Sequence, residues 1–211
     1  MEALLDGAVK FMEEGFLEHK ELFESLGQKQ IPHTLFVGCI DSRVVPNLIT
    51  NTMPGDLVVV RNIANIIPPY RTSQEYLATT SAIEYALQTL NVENVIICGH
   101  SNCGGCAALY LDESKFKNTP NVKRWLNLLD PIKKRVEGFL PDPKDSARRE
   151  WLTERLNVIN SYENLLTYPD VKVKFRDGSL KIYVWHYIIE TGEIYNYNVV
   201  SKSFRLLGVD R

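Results

Sequence analysis

The sequence predicts an α/β protein: a central, mostly parallel β-sheet flanked by helices, with an N-terminal helical arm and a C-terminal β-hairpin region. Three observations carry that prediction. Thr34–Cys39, Leu57–Val60 and Asn94–Cys98 are short apolar runs rich in β-branched residues, the pattern of strands buried on both faces. Between the second and third lies a helical segment from Ser73 to about Leu90, with Leu77, Ile83, Ala86, Leu87 and Leu90 on one side. Strand, helix and strand at these lengths make a βαβ unit, whose two strands run parallel.

Taken in order, residues 2–26 place Leu4, Leu5, Ala8, Phe11, Met12, Leu22, Phe23 and Leu26 at near-helical spacing among Glu and Lys. They form the arm, residues 1–30; residues 31–211 form a single α/β domain. Pro32 precedes the first strand, Pro54-Gly55-Asp56 is a turn before the second, and Pro68-Pro69 breaks the chain after it. Ser73 is the expected N-cap of the following helix. Gly99 is expected to end the third strand, with a helix over Ala107–Leu111. A loop covers 112–121. Val122–Val136 reads as one or two helices broken at Pro131, and residues 138–144 as a second loop. Asp145-Ser146 caps a long helix to about Leu166, with Trp151, Leu152, Leu156, Ile159, Tyr162 and Leu165 expected to face inward. Val171–Phe175 and Leu180–Ile189 read as strands, and Glu190–Glu193 as the hairpin turn into Ile194–Asn198.

The 211 residues are 45% hydrophobic, enough for a substantial core. A net charge of -2 and the absence of a basic block argue against nucleic-acid binding. Residues 1–6 carry no secretory-signal pattern, and no apolar run approaches the roughly 20 residues of a membrane span. Of the four cysteines, Cys98, Cys103 and Cys106 crowd together, a poor layout for disulfides in a chain this long. Metal binding in a reducing cytoplasm is the reading they support.

In a parallel sheet, Cys39 and His100 end their strands on the same edge, where α/β sheets bind ligands. Cys103, three residues after His100, joins them, giving three ligands for zinc. Three protein ligands and a water is the pattern of catalytic zinc, whereas structural zinc usually has four. Asp41 lies two residues past a ligand and can reach a metal-bound water; Arg43 can hold that carboxylate by paired hydrogen bonds. Backbone N–H groups around Gly104, at a helix start, suit developing oxygen charge in a substrate. Two thiolates donate more charge than imidazoles, which predicts a working pH above neutrality. Phe36 and Val44 are expected as apolar walls. Arg61 is read as a structural ion pair, Cys98 as inert packing, and His19, His33 and His186 as surface or packing residues. Cys106 is expected to be carried past the metal by its helix.

Cys39-Ile-Asp-Ser-Arg-Val44 together with Gly99-His-Ser-Asn-Cys-Gly-Gly105 resembles the β-class carbonic anhydrases. Val60-Arg-Asn-Ile-Ala-Asn65 and Ala82-Ile-Glu-Tyr-Ala86 agree in order and spacing, and Trp185–Gly192 more loosely. The resemblance implies one zinc per chain on Cys39, His100 and Cys103, with the Asp41–Arg43 dyad beside it. It implies reversible hydration of carbon dioxide to bicarbonate by metal-activated water. It also implies a homodimer or dimer of dimers, with the N-terminal helix embracing the partner. A subset of that family binds bicarbonate at an inhibitory site built on a Trp three positions before the first ligand. Phe36 stands there in this chain, so that pocket is not expected.

Other readings are a carbon disulfide or carbonyl sulfide hydrolase on the same zinc site, and a non-catalytic structural or redox zinc module. A zinc deaminase needs an H-x-E motif and a P-C-x-x-C run, and neither is present. No G-x-G-x-x-G follows a strand, which argues against a nucleotide-binding domain.

Overall fold

The computed structural model describes residues 2–71, 76–140, 142 and 144–209. One six-stranded sheet organises the chain, in the order β2-β1-β3-β4-β5-β6. The strands are β1 (Thr34–Cys39), β2 (Leu57–Asn62), β3 (Asn94–His100), β4 (Lys181–Tyr187), β5 (Ile194–Asn198) and β6 (Ser203–Leu206). The first four run parallel, and β5 and β6 close the sheet antiparallel. This is the predicted mixed sheet, with β6 added beyond the expected hairpin. β1 and β3 lie at its centre and are almost wholly buried, as their continuous apolar runs require.

One face of the sheet packs Leu35, Val37, Val95, Ile97 and Val184 against Ile83, Leu87, Val158, Leu165 and Tyr168 from the flanking helices. A second apolar cluster joins Cys39, Cys103 and Cys106 to Ile66, Leu126, Leu129 and Val136. The cysteines therefore sit where the strand ends enter an apolar lobe built from residues 104–139.

The structure differs from the sequence reading at several elements. β3 does not stop at Gly99 but runs on through His100, because Gly99 and His100 keep pairing with His186 and Tyr187 of β4. The helix after the site is Gly104–Ala108, starting earlier than expected. Residues 169–176 form a helix, not a strand. Pro169 at its first turn and Asp170 just behind are helix-start signals, and they prevail over the Val/Lys alternation. The arm is helical but broken: Glu2–Lys10, a π-type turn at Phe11–Gly15, and Lys20–Leu26 after a kink at His19. The helix after Pro68-Pro69 is described from Leu77, so the expected cap at Ser73 lies outside the described residues.

The long helix spans Ser146–Leu165, with the Asp145 side chain accepting from Arg148 N as its cap. Of the apolar residues expected to face inward, Leu165 is buried and Leu152, Leu156 and Tyr162 pack against the core, but the most buried strip also carries polar groups. Thr153, Glu154, Asn157 and Ser161 are buried with Val158 and Leu165, while Trp151 is 45% exposed. The reason is the segment beneath, Ile63–Ile67, whose backbone has left the sheet and needs partners. Asn157 Nδ2 donates to Ala64 O (2.7 Å), Ser161 Oγ to Asn65 O (3.1 Å) and Asn164 Nδ2 to Ile67 O (2.8 Å).

Candidate metal centre and active site

Parallel pairing of β1 with β3 brings Gly38 opposite Cys98, so the chain leaves both strands at one edge of the sheet. There the Cys39, His100 and Cys103 side chains converge: one ligand atom from each lies within 4.8 Å of the others, and all three residues are buried. The two thiol sulfurs are 4.0 Å apart. The predicted ligand set is thus brought together.

The donor chemistry fits a zinc ion. His100 Nδ1 lies 2.9 Å from Ser101 O, so the proton sits on Nδ1 and Nε2 offers its lone pair. That Nε2 is buried with no hydrogen-bond partner among the described residues, a costly state unless a cation occupies the position it faces. The thiols tell the same story. The contact with Cys103 and burial push the Cys39 thiol up to about 12, and Cys103 is raised too, first by its contact with Cys106. Two adjacent buried thiols stay protonated on their own; a divalent cation stabilises both thiolates and reverses that balance.

Asp41 faces the same point, with Oδ2 3.9 Å from His100 Nε2. Arg43 grips it with two parallel bonds, Nε to Oδ1 (2.9 Å) and Nη2 to Oδ2 (2.7 Å), and its backbone N–H adds a third at 3.0 Å. These bonds hold the Asp41 carboxyl well below the usual carboxylate range. Arg61 is structural, and its bonds among the described residues are to backbone carbonyls: Nε donates to Cys39 O (2.9 Å) and Nη2 to Asp41 O (2.7 Å), fixing the backbone that presents Asp41.

Glu154 is the residue that sequence reasoning missed. It is 4% exposed, and its Oε1 accepts the Cys103 N–H at 2.9 Å, while Oε2 meets His186 Nε2 at 3.3 Å. A carboxylate at an inward position of an otherwise amphipathic helix was the available signal. His186 packs inside as expected, but as the partner of this carboxylate. Cys98 is inert packing, its thiol pushed up to about 12 by burial. Cys106 is not among the converging ligand atoms; its sulfur accepts from Asn157 Nδ2 at 3.7 Å.

Phe36 and Val44 are fully buried rather than presented at the surface of the site as expected. A cavity of about 510 Å3 is lined by Ile40, Val59, Arg61, Ile63, Ala82 and Trp125, and none of Cys39, Asp41, His100 and Cys103 lines it. Gly104 opens its helix with open space beside it, whereas a Cβ on Gly105 would strike Ala64 and Ile63 at 2.9 Å.

Residues 34–194 match the carbonic anhydrase family. The chain is 50% identical over 206 residues to a carbonic anhydrase of Helicobacter pylori (strain J99), covering 97% of this chain and 93% of that protein. Its fold superposes on the β-carbonic anhydrase CcaA with a TM-score of 0.91 at 36% identity, covering 98% of both chains. It superposes on a tetrameric β-carbonic anhydrase of Sordaria macrospora with a TM-score of 0.81 at 28% identity, covering 98% of this chain and 96% of that one. A sheet edge that gathers Cys39, His100 and Cys103 beside Asp41, together with likeness along nearly the whole chain, establishes that the protein belongs to the β-carbonic anhydrase family.

Proposed function

We propose that this protein is a zinc enzyme that interconverts carbon dioxide and bicarbonate, a carbonate dehydratase. The observation that carries the reading is the convergence of the three ligand atoms within 4.8 Å, with the Asp41 carboxylate beside them. Cys39, His100 and Cys103 would hold the ion; bound there, zinc supplies the Lewis acidity that makes a water molecule nucleophilic near neutral pH.

The chain's own residues do the rest. Asp41, kept ionised by Arg43, accepts a hydrogen bond from the attacking water and turns its lone pair toward the substrate carbon. Arg43 holds the carboxylate plane and, through the same Nη2, bonds Asn102 O at 3.0 Å, tying the dyad to the turn between the two later ligands. Open space at Gly104 leaves room beside Cys103 for the product's oxygens. The proton released passes to solvent or buffer.

Stopped-flow hydration of carbon dioxide, with zinc quantified in each sample, tests this. Wild type is expected to hold about one zinc per chain and to be active. Asp41→Asn keeps the metal and loses roughly 100-fold in rate, whereas Cys39→Ser loses the metal itself. A zinc-loaded wild type with no hydration activity, or X-ray absorption showing Cys106 as a fourth protein ligand, would overturn the reading.

A further inference from the structure

The turn between the two later ligands, Ser101-Asn102, is held almost entirely from one place, the end of β4 and the hairpin that follows it. Ser101 N donates to Tyr187 O (2.9 Å), and Ile189 N donates to Ser101 Oγ (3.0 Å). Glu190 completes the grip with both oxygens: Oε2 accepts from Ser101 Oγ (2.7 Å), and Oε1 accepts from Asn102 Nδ2. One carboxylate thus fixes both side chains of the turn across about 90 residues of sequence.

Asn102 needs that grip. Its φ of +53° lies in the left-handed region, which a non-glycine residue adopts at a cost; Asn is among the residues that tolerate it best. The left-handed turn aims the Asn102 carbonyl at Arg43, whose Nη2 divides its two hydrogens between Asn102 O (3.0 Å) and Asp41 Oδ2 (2.7 Å). A continuous set of bonds therefore runs from the hairpin to the carboxylate beside the metal ligands.

We propose that Glu190 is a positioning residue of the active site: by holding Asn102 it fixes the plane of the Arg43 guanidinium, and thereby the direction in which Asp41 presents its oxygens. The inference rests on the functional reading above for its effect on rate, but not for its effect on Arg43. Glu190 is exposed on a turn, so its substitution leaves the core intact.

The test uses the zinc-loaded full chain carrying Glu190→Ala or Glu190→Gln. The first readout is hydrogen exchange of the Arg43 Nε–H by NMR, assigned with Arg43→Lys. The second is kcat and KM for hydration, each variant also being made in the Asp41→Asn background. In Glu190→Ala we expect unchanged zinc content, Arg43 exchange faster by about 10-fold and kcat lower by about 10-fold with KM within about twofold, at the low end for partners that orient metal-site groups. Glu190→Gln keeps one acceptor oxygen and loses less. In the Asp41→Asn background Glu190→Ala costs nothing further, because the group it orients is already gone. Unchanged Arg43 exchange, loss of zinc, or an equal loss of rate in both backgrounds would each overturn the proposal. If wild type holds zinc but hydrates nothing, the functional reading fails, and the exchange measurement still decides whether Glu190 positions Arg43.

Discussion

At the scale of single residues, the centre is defined by groups that are uncomfortable without a cation. His100 Nε2 is buried and unpartnered among the described residues, and the Cys39 thiol is pushed up to about 12 by its neighbour Cys103 and by burial. The sign of the pH effect follows. Near pH 8 both thiols of the metal-free protein hold their protons, so zinc must displace them; binding strengthens as pH rises and weakens as it falls. Titration calorimetry in buffers of different ionisation enthalpy is expected to show about two protons released per zinc at pH 8. The convergence of Cys39, His100 and Cys103 and the pairing of Asp41 with Arg43 were legible from the sequence because strand ends and short spacings report them directly. Glu154 was not. Its role depends on a polar strip of a 20-residue helix, Thr153, Glu154, Asn157 and Ser161, being buried next to the apolar one, which the apolar pattern of that helix does not report.

At the scale of elements, local pattern failed where backbone partners outweighed side-chain hydropathy. The helix Ser146–Leu165 buries Asn157 and Ser161 because they supply donors to the Ala64 and Asn65 carbonyls of the Ile63–Ile67 segment. Val171-Lys-Val-Lys alternates like a strand, yet the sheet is complete without it and Pro169 starts a helix. The close approach of the Gly104–Ala108 helix to Ile63 and Ala64 gives a direct test. Gly105→Ala places a methyl 2.9 Å from both, so it should destabilise the fold by about 1–3 kcal/mol, read from the shift in denaturant midpoint. Because Cys103 and Cys106 flank that glycine in the same apolar cluster, the variant should also bind zinc more weakly in chelator competition.

At the scale of the whole molecule, the mostly parallel sheet was legible, since buried strands and their intervening helix carry strong periodic signals, whereas the order of its strands was not predicted. What the arm packs against was not. Residues 2–26 contribute nothing to the buried core, leaving Leu4 (81% exposed) and Met12 (69% exposed) in the open. An exposed apolar surface of this kind is what a protein partner covers, and the Sordaria macrospora structure on which the fold superposes is a tetramer. Deleting residues 1–26 is expected to lower the sedimentation coefficient to that of a smaller assembly while the domain keeps its circular dichroism. The bracing of the centre has a consequence for biosynthesis. A ribosome releases Cys39, His100 and Cys103 well before Glu154 and Glu190, which secure the turn between the last two. A nascent chain therefore carries every donor atom before it owns the scaffold that aims them. Metal capture in working geometry is expected only once those two carboxylates have emerged and folded against the turn.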